Sequence, residues 1–185
     1  FRKVFEEEMG KSTKEAFRDF QGDTPHIHLY SDKAPELKAA ASKLNWTHSF
    51  SVPGRPQTNA VAERCVRHCL EGCRTLLDQA GLPPCLWPKA VRYWCMMINT
   101  QPKEGVTPYE ARNPGLRLWD AMRIPFGCLV EFKPTDTVNE QPGKWHTKSV
   151  TGIFLGYRMN PGGVWARVYE VVSCSSLRND GNRHD

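Results

Sequence analysis

The segment that decides the fold spans residues 51–67 and reads SVPGRPQTNAVAERCVR. Its first half contains two prolines and a glycine, which favour a loop over any regular element. Thr58 and Asn59 are both candidate N-caps, and a helix is predicted from there to about Ala80, where a Gly-Leu-Pro-Pro sequence ends it. The segment therefore places Glu63 in the first turns of a long helix.

A second carboxylate lies upstream, at the end of a predicted strand. Residues 26–30 predict a short strand that leads to Asp32, and Pro35 opens a helix predicted over 36–44. Carboxylates brought together from a strand end and a helix start are oxygen ligands that can hold a divalent metal beside a phosphodiester. The ordinary alternative is a strand-end aspartate and a first-turn glutamate favoured by the helix dipole.

Hydrophobic periodicity predicts the other elements of the chain. The first 20 residues favour a helix or a linker that is buried through Ala16, Phe17 and Phe20. A strongly apolar helix is predicted over 86–99, with a packing face made by Trp87, Ala90, Val91, Trp94, Met97 and Ile98. Further strands are predicted over 46–52, 128–132, 150–157 and 164–172, with a Pro-Gly-Gly turn at 161–163.

The composition, with 39% hydrophobic and 24% charged residues among 185, is that of a globular protein. The net charge is +5, and the basic excess lies in residues 46–125, with ten Lys and Arg against six Asp and Glu. This excess predicts a phosphate-binding face, and the alternative is a solvated basic surface.

Seven cysteines, with no secretory signal and no apolar span that fits a bilayer, favour a reducing intracellular setting and no membrane partner. Cys65, Cys69 and Cys73 recur every four residues on the predicted helix. Because no second ligand cluster follows at the spacing of zinc sites, we expect packed thiols and no zinc site.

Several motifs, taken in order, resemble the integrase of copia-type retrotransposons, a relative of retroviral integrases. They are SDKAPE at 31–36, NAVAER at 59–64, GLP at 81–83, LW at 86–87, TPYE at 107–110 and GIFLGY at 152–157. The resemblance covers nearly the whole chain. It implies a partial ribonuclease-H-like integrase core of α/β class over 1–80, a helical extension over 81–124, a small all-β Src-homology-3-type barrel over 125–173 and a polar tail over 174–185.

The resemblance also implies an activity, which is strand transfer that joins the ends of an element to target DNA in the nucleus. Asp32 and Glu63 match the second and third of three catalytic carboxylates, so we expect both to be catalytic ligands of Mg²⁺ or Mn²⁺. The first carboxylate and the preceding zinc-binding module have no counterpart here, and only thirty residues separate Asp32 from Glu63, a few fewer than usual. Lys33 and Ala34 replace the customary Asn and Gly. We therefore expect a fragment that is inactive alone.

A set of polar and basic side chains around the second carboxylate is predicted to contact DNA, together with two lysines of the barrel. The set is Arg55, Gln57, Asn59, Arg64, Arg67, Arg74, Lys144 and Lys148. The alternative is that the arginines are solvated or pair with Glu71 and Asp78. A homo-oligomer and other parts of the polyprotein are further expected partners. A competing hypothesis is a noncatalytic nucleic-acid-binding or protein-interaction remnant of a transposable element.

Overall fold

The computed structural model describes residues 13–55, 57, 59–115, 123–133 and 149–174. Its helices and strands form two units, and the chain is of α/β class, as predicted. Unit 1 comprises the residues up to His68 together with Met159–Ala166. Unit 2 comprises Cys69–Arg158 and the residues from Arg167 onward.

Unit 1 contains a two-stranded parallel sheet and its crossover helix. Its elements are α1 (Thr13–Gln21), β1 (His28–Ser31), α2 (Pro35–Lys43), β2 (Thr47–Phe50) and the first turns of α3 (Ala60–Ala80). Strand β1 pairs with β2 so that His28 lies opposite Thr47 and Ser31 opposite Phe50. A parallel pair requires a crossover connection, which α2 supplies. The sequence predicts β1, α2, β2 and the start of α3 to within a few residues. For α1 it predicts a helix or a linker over residues 1–20, of which 1–12 lie outside the described residues.

Trp46 is the main buried side chain of unit 1. Its Nε1 donates to Gln21 Oε1 at 2.9 Å, and its ring stacks on that of Phe17 with centroids 4.7 Å apart. Phe17 and Gln21 lie one turn apart and define the packed side of α1. Ala16 and Phe20 were predicted to be buried as well, but both are exposed. Each precedes a packed residue by one position, so its side chain is rotated about 100° from the packed side.

A backbone contact in unit 1 joins the end of α1 to a distant turn. Gly22 has a φ of +54°, and a Cβ built there would lie 2.5 Å from the Cα of Gly162. Gly162, with a φ of +80°, belongs to the 3₁₀ turn Pro161–Gly163. Only residues without side chains permit an approach this close.

Unit 2 combines helices with a three-stranded sheet. It contains the rest of α3, the 3₁₀ turn Pro84–Leu86, α4 (Trp87–Asn99), α5 (Pro108–Arg112), β3 (Leu129–Phe132) and most of β4 (Val150–Asn160) and β5 (Val164–Ser173). The strand order is β3-β4-β5, and β3 runs antiparallel to β4 with Leu129 opposite Ile153. The predicted strands and the turn between the last two are confirmed.

The core of unit 2 is aromatic. Phe154 is fully buried and meets Tyr157 edge to face with centroids 5.1 Å apart. Tyr93 of α4 donates its hydroxyl to Ile124 O at 3.1 Å, and Ile124 N donates to Tyr157 Oη at 3.0 Å. The two tyrosine hydroxyls therefore hold the main chain of Ile124 on both sides of its Cα. Burial raises the pKa of both tyrosines.

The buried face of α4 differs in part from the predicted one. The helix itself is confirmed, and Ala90 is buried as expected. The other buried residues are Tyr93 and Met96, whereas Trp87 is 36% exposed. The prediction followed the most apolar residues, but the helix is oriented by the aromatic core and by the hydrogen bond of Tyr93.

The helical cysteines become more buried towards the C-terminal half of α3. Cys65 is exposed, Cys69 is half-buried and Cys73 is buried. The expectation of packed thiols is therefore right for Cys73 and wrong for Cys65. In unit 2 the ring of Trp94 lies directly over Gly72, the residue before Cys73.

Candidate metal and nucleic-acid site

Asp32 lies on the surface of unit 1, directly after the last residue of β1. The pairing of β1 with β2 continues to this point, since Ser51 N donates to Ser31 O at 2.9 Å. The Asp32 Oδ1 atom accepts a hydrogen bond of 3.3 Å from Ala34 N, one residue before α2 begins. This bond closes the turn between strand and helix, as aspartates often do. The carboxylate retains further lone pairs for a ligand.

A hydrogen-bonded chain that the sequence did not predict leads from β2 to Asp32. Ser31 Oγ donates to the main-chain oxygen of Asp32 at 2.8 Å and lies 2.9 Å from His48 Nε2. The hydroxyl has a single proton, so when Ser31 donates to Asp32 O it accepts from His48, and a neutral His48 then carries its proton on Nε2. The ring of Phe50 lies 4.2 Å from that of His48, centroid to centroid.

The remaining ring nitrogen of His48, Nδ1, is buried and has no hydrogen-bond partner among the described residues. This tautomer leaves Nδ1 as an acceptor. The sequence signal was a histidine within an otherwise apolar and hydroxyl-bearing strand, THSF at 47–50. The pairing with Ser31 depends on the register of the sheet, which periodicity does not provide.

Glu63 lies in the first turn of α3 and its side chain is exposed. Its N–H donates to Asn59 O at 3.1 Å, which completes the opening turn of the helix. The unpaired N–H groups at a helix start favour a carboxylate there. Within the described residues, no hydrogen bond or ion pair involves the Glu63 side chain.

Both carboxylates belong to unit 1 and are open to solvent. Their oxygen atoms suit Mg²⁺ or Mn²⁺, which prefer carboxylate ligands. The described residues contain no group of three or more His, Cys, Asp or Glu side chains that could hold a metal ion. The carboxylate oxygens of Asp32 and Glu63 are therefore of the kind that a hard divalent cation binds, and they give two candidate ligands.

The predicted DNA-contacting residues that the structure describes lie mostly on the surface. Arg55, Gln57, Arg64, Arg67 and Arg74 are exposed, and Asn59 is half-buried.

The exposed face of α3 carries basic residues in register with Glu63. Arg67 lies one turn after Glu63, so the helical repeat places both on one side of the helix. Arg74 is also exposed and belongs to unit 2. In the described part of the chain, neither arginine pairs with Glu71 or Asp78. Lys144 and Lys148, the two predicted barrel contacts, lie outside the described residues.

Comparison with known proteins gives significant similarity to transposon polyproteins. The chain is 31% identical over 160 residues to the retrovirus-related Pol polyprotein from transposon TNT 1-94 of Nicotiana tabacum, which covers 85% of the chain and 11% of that protein. It is 31% and 36% identical over 141 residues to those from transposons RE1 and RE2 of Arabidopsis thaliana, covering 71% of the chain and 9% of each relative. The chain thus spans about a tenth of the length of these curated relatives.

No protein-family model matches the chain, and no solved structure gives a significant match. Among the helices in the described ranges, none combines the length and the apolar character needed to cross a membrane.

Proposed function

The homologues of this chain are retrovirus-related Pol polyproteins of copia-type transposons, and on that basis we propose that it is an integrase segment acting in DNA strand transfer. The single observation that carries this proposal is the pair of exposed carboxylates in unit 1. Asp32 follows a strand of a parallel sheet, and Glu63 opens a long helix. The motifs around both residues are those that resemble the integrase.

In this proposal Asp32 and Glu63 bind Mg²⁺ or Mn²⁺ as part of a ribonuclease-H-like catalytic core. Such ions, when bound, activate a hydroxyl nucleophile and stabilise the leaving oxygen of an in-line phosphoryl displacement. The chain's own residues hold Asp32 at the strand end through Ala34 N and place Glu63 at the positive end of α3. The three-stranded sheet of unit 2 supports the further assignment of a small Src-homology-3-type barrel.

The test of the metal site is a Mn²⁺ titration of the 185-residue chain, followed by paramagnetic broadening of backbone amide signals in NMR spectra. We expect broadening centred on residues 32–34 and 60–64, and its loss in the double variant Asp32→Asn/Glu63→Gln. The matched control is Glu36→Gln/Glu71→Gln, which removes two other exposed carboxylates. The proposal is contradicted if the amide signals near all exposed Asp and Glu residues broaden equally, or if the broadening persists in Asp32→Asn/Glu63→Gln.

The basic side chains near Glu63 supply the DNA contacts of the proposed function. Arg55 lies in the loop before α3 and Arg67 lies one turn after Glu63, and both are exposed. Arginines bind phosphates through two parallel hydrogen bonds, and each phosphate contact releases condensed counterions from DNA. The exposed surface beside Glu63 is therefore suited to binding a phosphodiester backbone.

Substitution of Arg55 and Arg67 by alanine tests this assignment. The slope of log K against log salt should fall in magnitude by about 1.8, since each lost phosphate contact contributes about 0.9. Fluorescence anisotropy of a labelled duplex measures it. The control pair is Arg92→Ala/Arg158→Ala, which removes the same charge from two other exposed positions. If both pairs change the slope equally, the binding depends on net charge and not on this face.

A second candidate function, a protein-interaction remnant, is favoured by the open sheet of unit 1. In the described part of the chain, β1 and β2 pair only with each other, which leaves one edge of each strand without a strand partner. Exposed edges are ready templates for pairing with another chain. This function predicts that the chain self-associates, which light scattering would detect and dilution would reverse. It also predicts that replacing Arg55 and Arg67 by alanine leaves the DNA affinity unchanged.

A further inference from the structure

Three thiols approach one another in unit 2 where α3 packs on α4. Cys69 Sγ and Cys95 Sγ lie 3.8 Å apart, and Cys73 lies one turn further along α3. A disulfide requires a sulfur–sulfur distance of about 2.05 Å, so the cross-helix pair must close by less than 2 Å. The proposed metal and DNA chemistry uses none of these residues.

The close packing of the two helices has a clear cause. A Cβ built at Gly72 would lie 2.0 Å from a ring atom of Trp94, so glycine is what permits the indole to lie against α3. Cys73 and Cys95 are the residues next to this contact in sequence. The separation of Cys69 from Cys95 is therefore fixed by packing of the helices and not by chance contact of mobile side chains.

We propose that Cys69 and Cys95 are a disulfide-forming pair that links α3 to α4 covalently when the chain meets a low-molecular-weight disulfide such as glutathione disulfide. Cys73 is the less suitable partner for Cys69. Positions i and i+4 of one helix hold their Cβ atoms about 5–6 Å apart, beyond the 3.5–4.5 Å of a disulfide.

The reaction proceeds by two exchanges. The thiolate of Cys69 attacks one sulfur of glutathione disulfide, forming a mixed disulfide and releasing one glutathione thiolate. The thiolate of Cys95 then attacks the Cys69 sulfur, forming the protein disulfide and releasing the second glutathione thiolate. The two protons lost by the cysteines are taken up by the two released thiolates. Two protein thiols are thus oxidised while one glutathione disulfide is reduced to two glutathione molecules.

The environment of Cys95 sets the order and the rate of these exchanges. Burial, together with the neighbouring Cys69 thiol, raises the pKa of Cys95 to about 12. At neutral pH its thiolate is scarce, so Cys69 reacts first and closure by Cys95 is slow. Below that pKa, the closure rate should rise about tenfold for each unit of pH, because the thiolate fraction does.

The test is incubation of the reduced 185-residue chain with glutathione disulfide, followed by alkylation, proteolysis without reductant and mass spectrometry. We expect a crosslinked pair of peptides containing Cys69 and Cys95, its reversal by excess reduced glutathione, and faster closure at pH 8 than at pH 7. The oxidised chain should unfold at a temperature higher by ~5 °C or more. No metal or DNA is present, so the result is independent of the proposed function.

Two variants sharpen the test. Cys95→Ser should leave Cys69 as a mixed disulfide with glutathione, whereas Cys85→Ser, which removes an exposed thiol, should leave the crosslink unchanged. If the native chain gives only glutathione adducts, or crosslinks Cys69 no more often than Cys65 or Cys85, the proposal is overturned. Because the native chain alone decides this, a variant that fails to fold leaves the conclusion unaffected.

Discussion

The two units differ in how much they bury. Among the described residues, unit 2 buries a set of large side chains that includes Tyr93, Met96, Tyr109, Phe126, Phe154, Leu155 and Tyr157. In the described part of unit 1 the buried hydrophobic residues are Ala40, Ala41 and Trp46. Buried apolar area is the main source of stability, at about 25 cal/mol per Å². The candidate carboxylates therefore lie on the weakly packed unit, and most of the packing energy belongs to the unit without them.

The largest expected effect is that of Phe154→Ala. Phe154 is fully buried, so its removal should lower the free energy of unfolding by ~3–5 kcal/mol through lost transfer energy and a residual cavity. Chemical denaturation followed by near-ultraviolet circular dichroism measures this. The control is Leu129→Ala, at a side chain that is 70% exposed, with an expected change within about 0.5 kcal/mol. Similar losses in the two variants would show that burial within unit 2 does not determine the loss of stability.

A smaller effect is expected for Gly72→Ala. Alanine is the better helix former by about 1 kcal/mol, but its Cβ would overlap the ring of Trp94. The clash should prevail and destabilise unit 2 by ~1–3 kcal/mol. The double variant Gly72→Ala/Trp94→Leu should recover part of the loss, as a double-mutant cycle would show. If Gly72→Ala instead stabilises the chain, the Trp94 ring can move away from Gly72 at little cost in free energy.

In unit 1 we expect Trp46→Phe to destabilise the chain by about 1 kcal/mol. The variant keeps an aromatic ring against Phe17 but removes the donor to Gln21 Oε1. Amide hydrogen exchange of β1 and β2 should accelerate about fivefold, while exchange in β3 and β4 is unchanged. Equal acceleration in both sheets would show that the units open together and would remove the contrast.

The smallest effect on stability is expected for Glu63→Gln. The side chain is exposed, so the free energy of unfolding should change by no more than about 0.5 kcal/mol, measured by denaturant titration. Loss of Mn²⁺ broadening without loss of stability would mark Glu63 as a ligand and not as a structural residue. A loss above about 1 kcal/mol would instead assign it to the opening turn of α3.

The sequence predicts features that depend on local residues better than features that depend on distant packing partners. Helix and strand positions follow from periodicity and from Pro and Gly signals, and the long helix α3 and the crossover helix α2 were predicted closely. The packed side of α1 was predicted only in part, since Ala16 and Phe20 are exposed, because that side is set by Trp46, a partner distant in sequence that stacks on Phe17. The partner of Tyr93, Ile124 O, is likewise 31 positions away.

For the candidate site, the sequence located Asp32 and Glu63 but not the chain of hydrogen bonds from His48 through Ser31. Local pattern indicates which residues bear carboxylates, since strand ends and helix starts are local features. The register of β1 against β2 is a non-local property, and it decides which side chains approach Ser31. Side chains that support a candidate ligand are therefore harder to predict than the candidate itself.

The contact between Gly22 and Gly162 joins residues 140 positions apart, which makes unit 1 discontinuous along the chain. During synthesis, the segment that carries both candidate carboxylates emerges from the ribosome long before the hairpin tip that completes its unit. Closing so long a loop is slow, so unit 1 should mature after translation reaches the last strands. A chain shortened before β4 would retain Asp32 and Glu63 and still lack part of the unit that holds them.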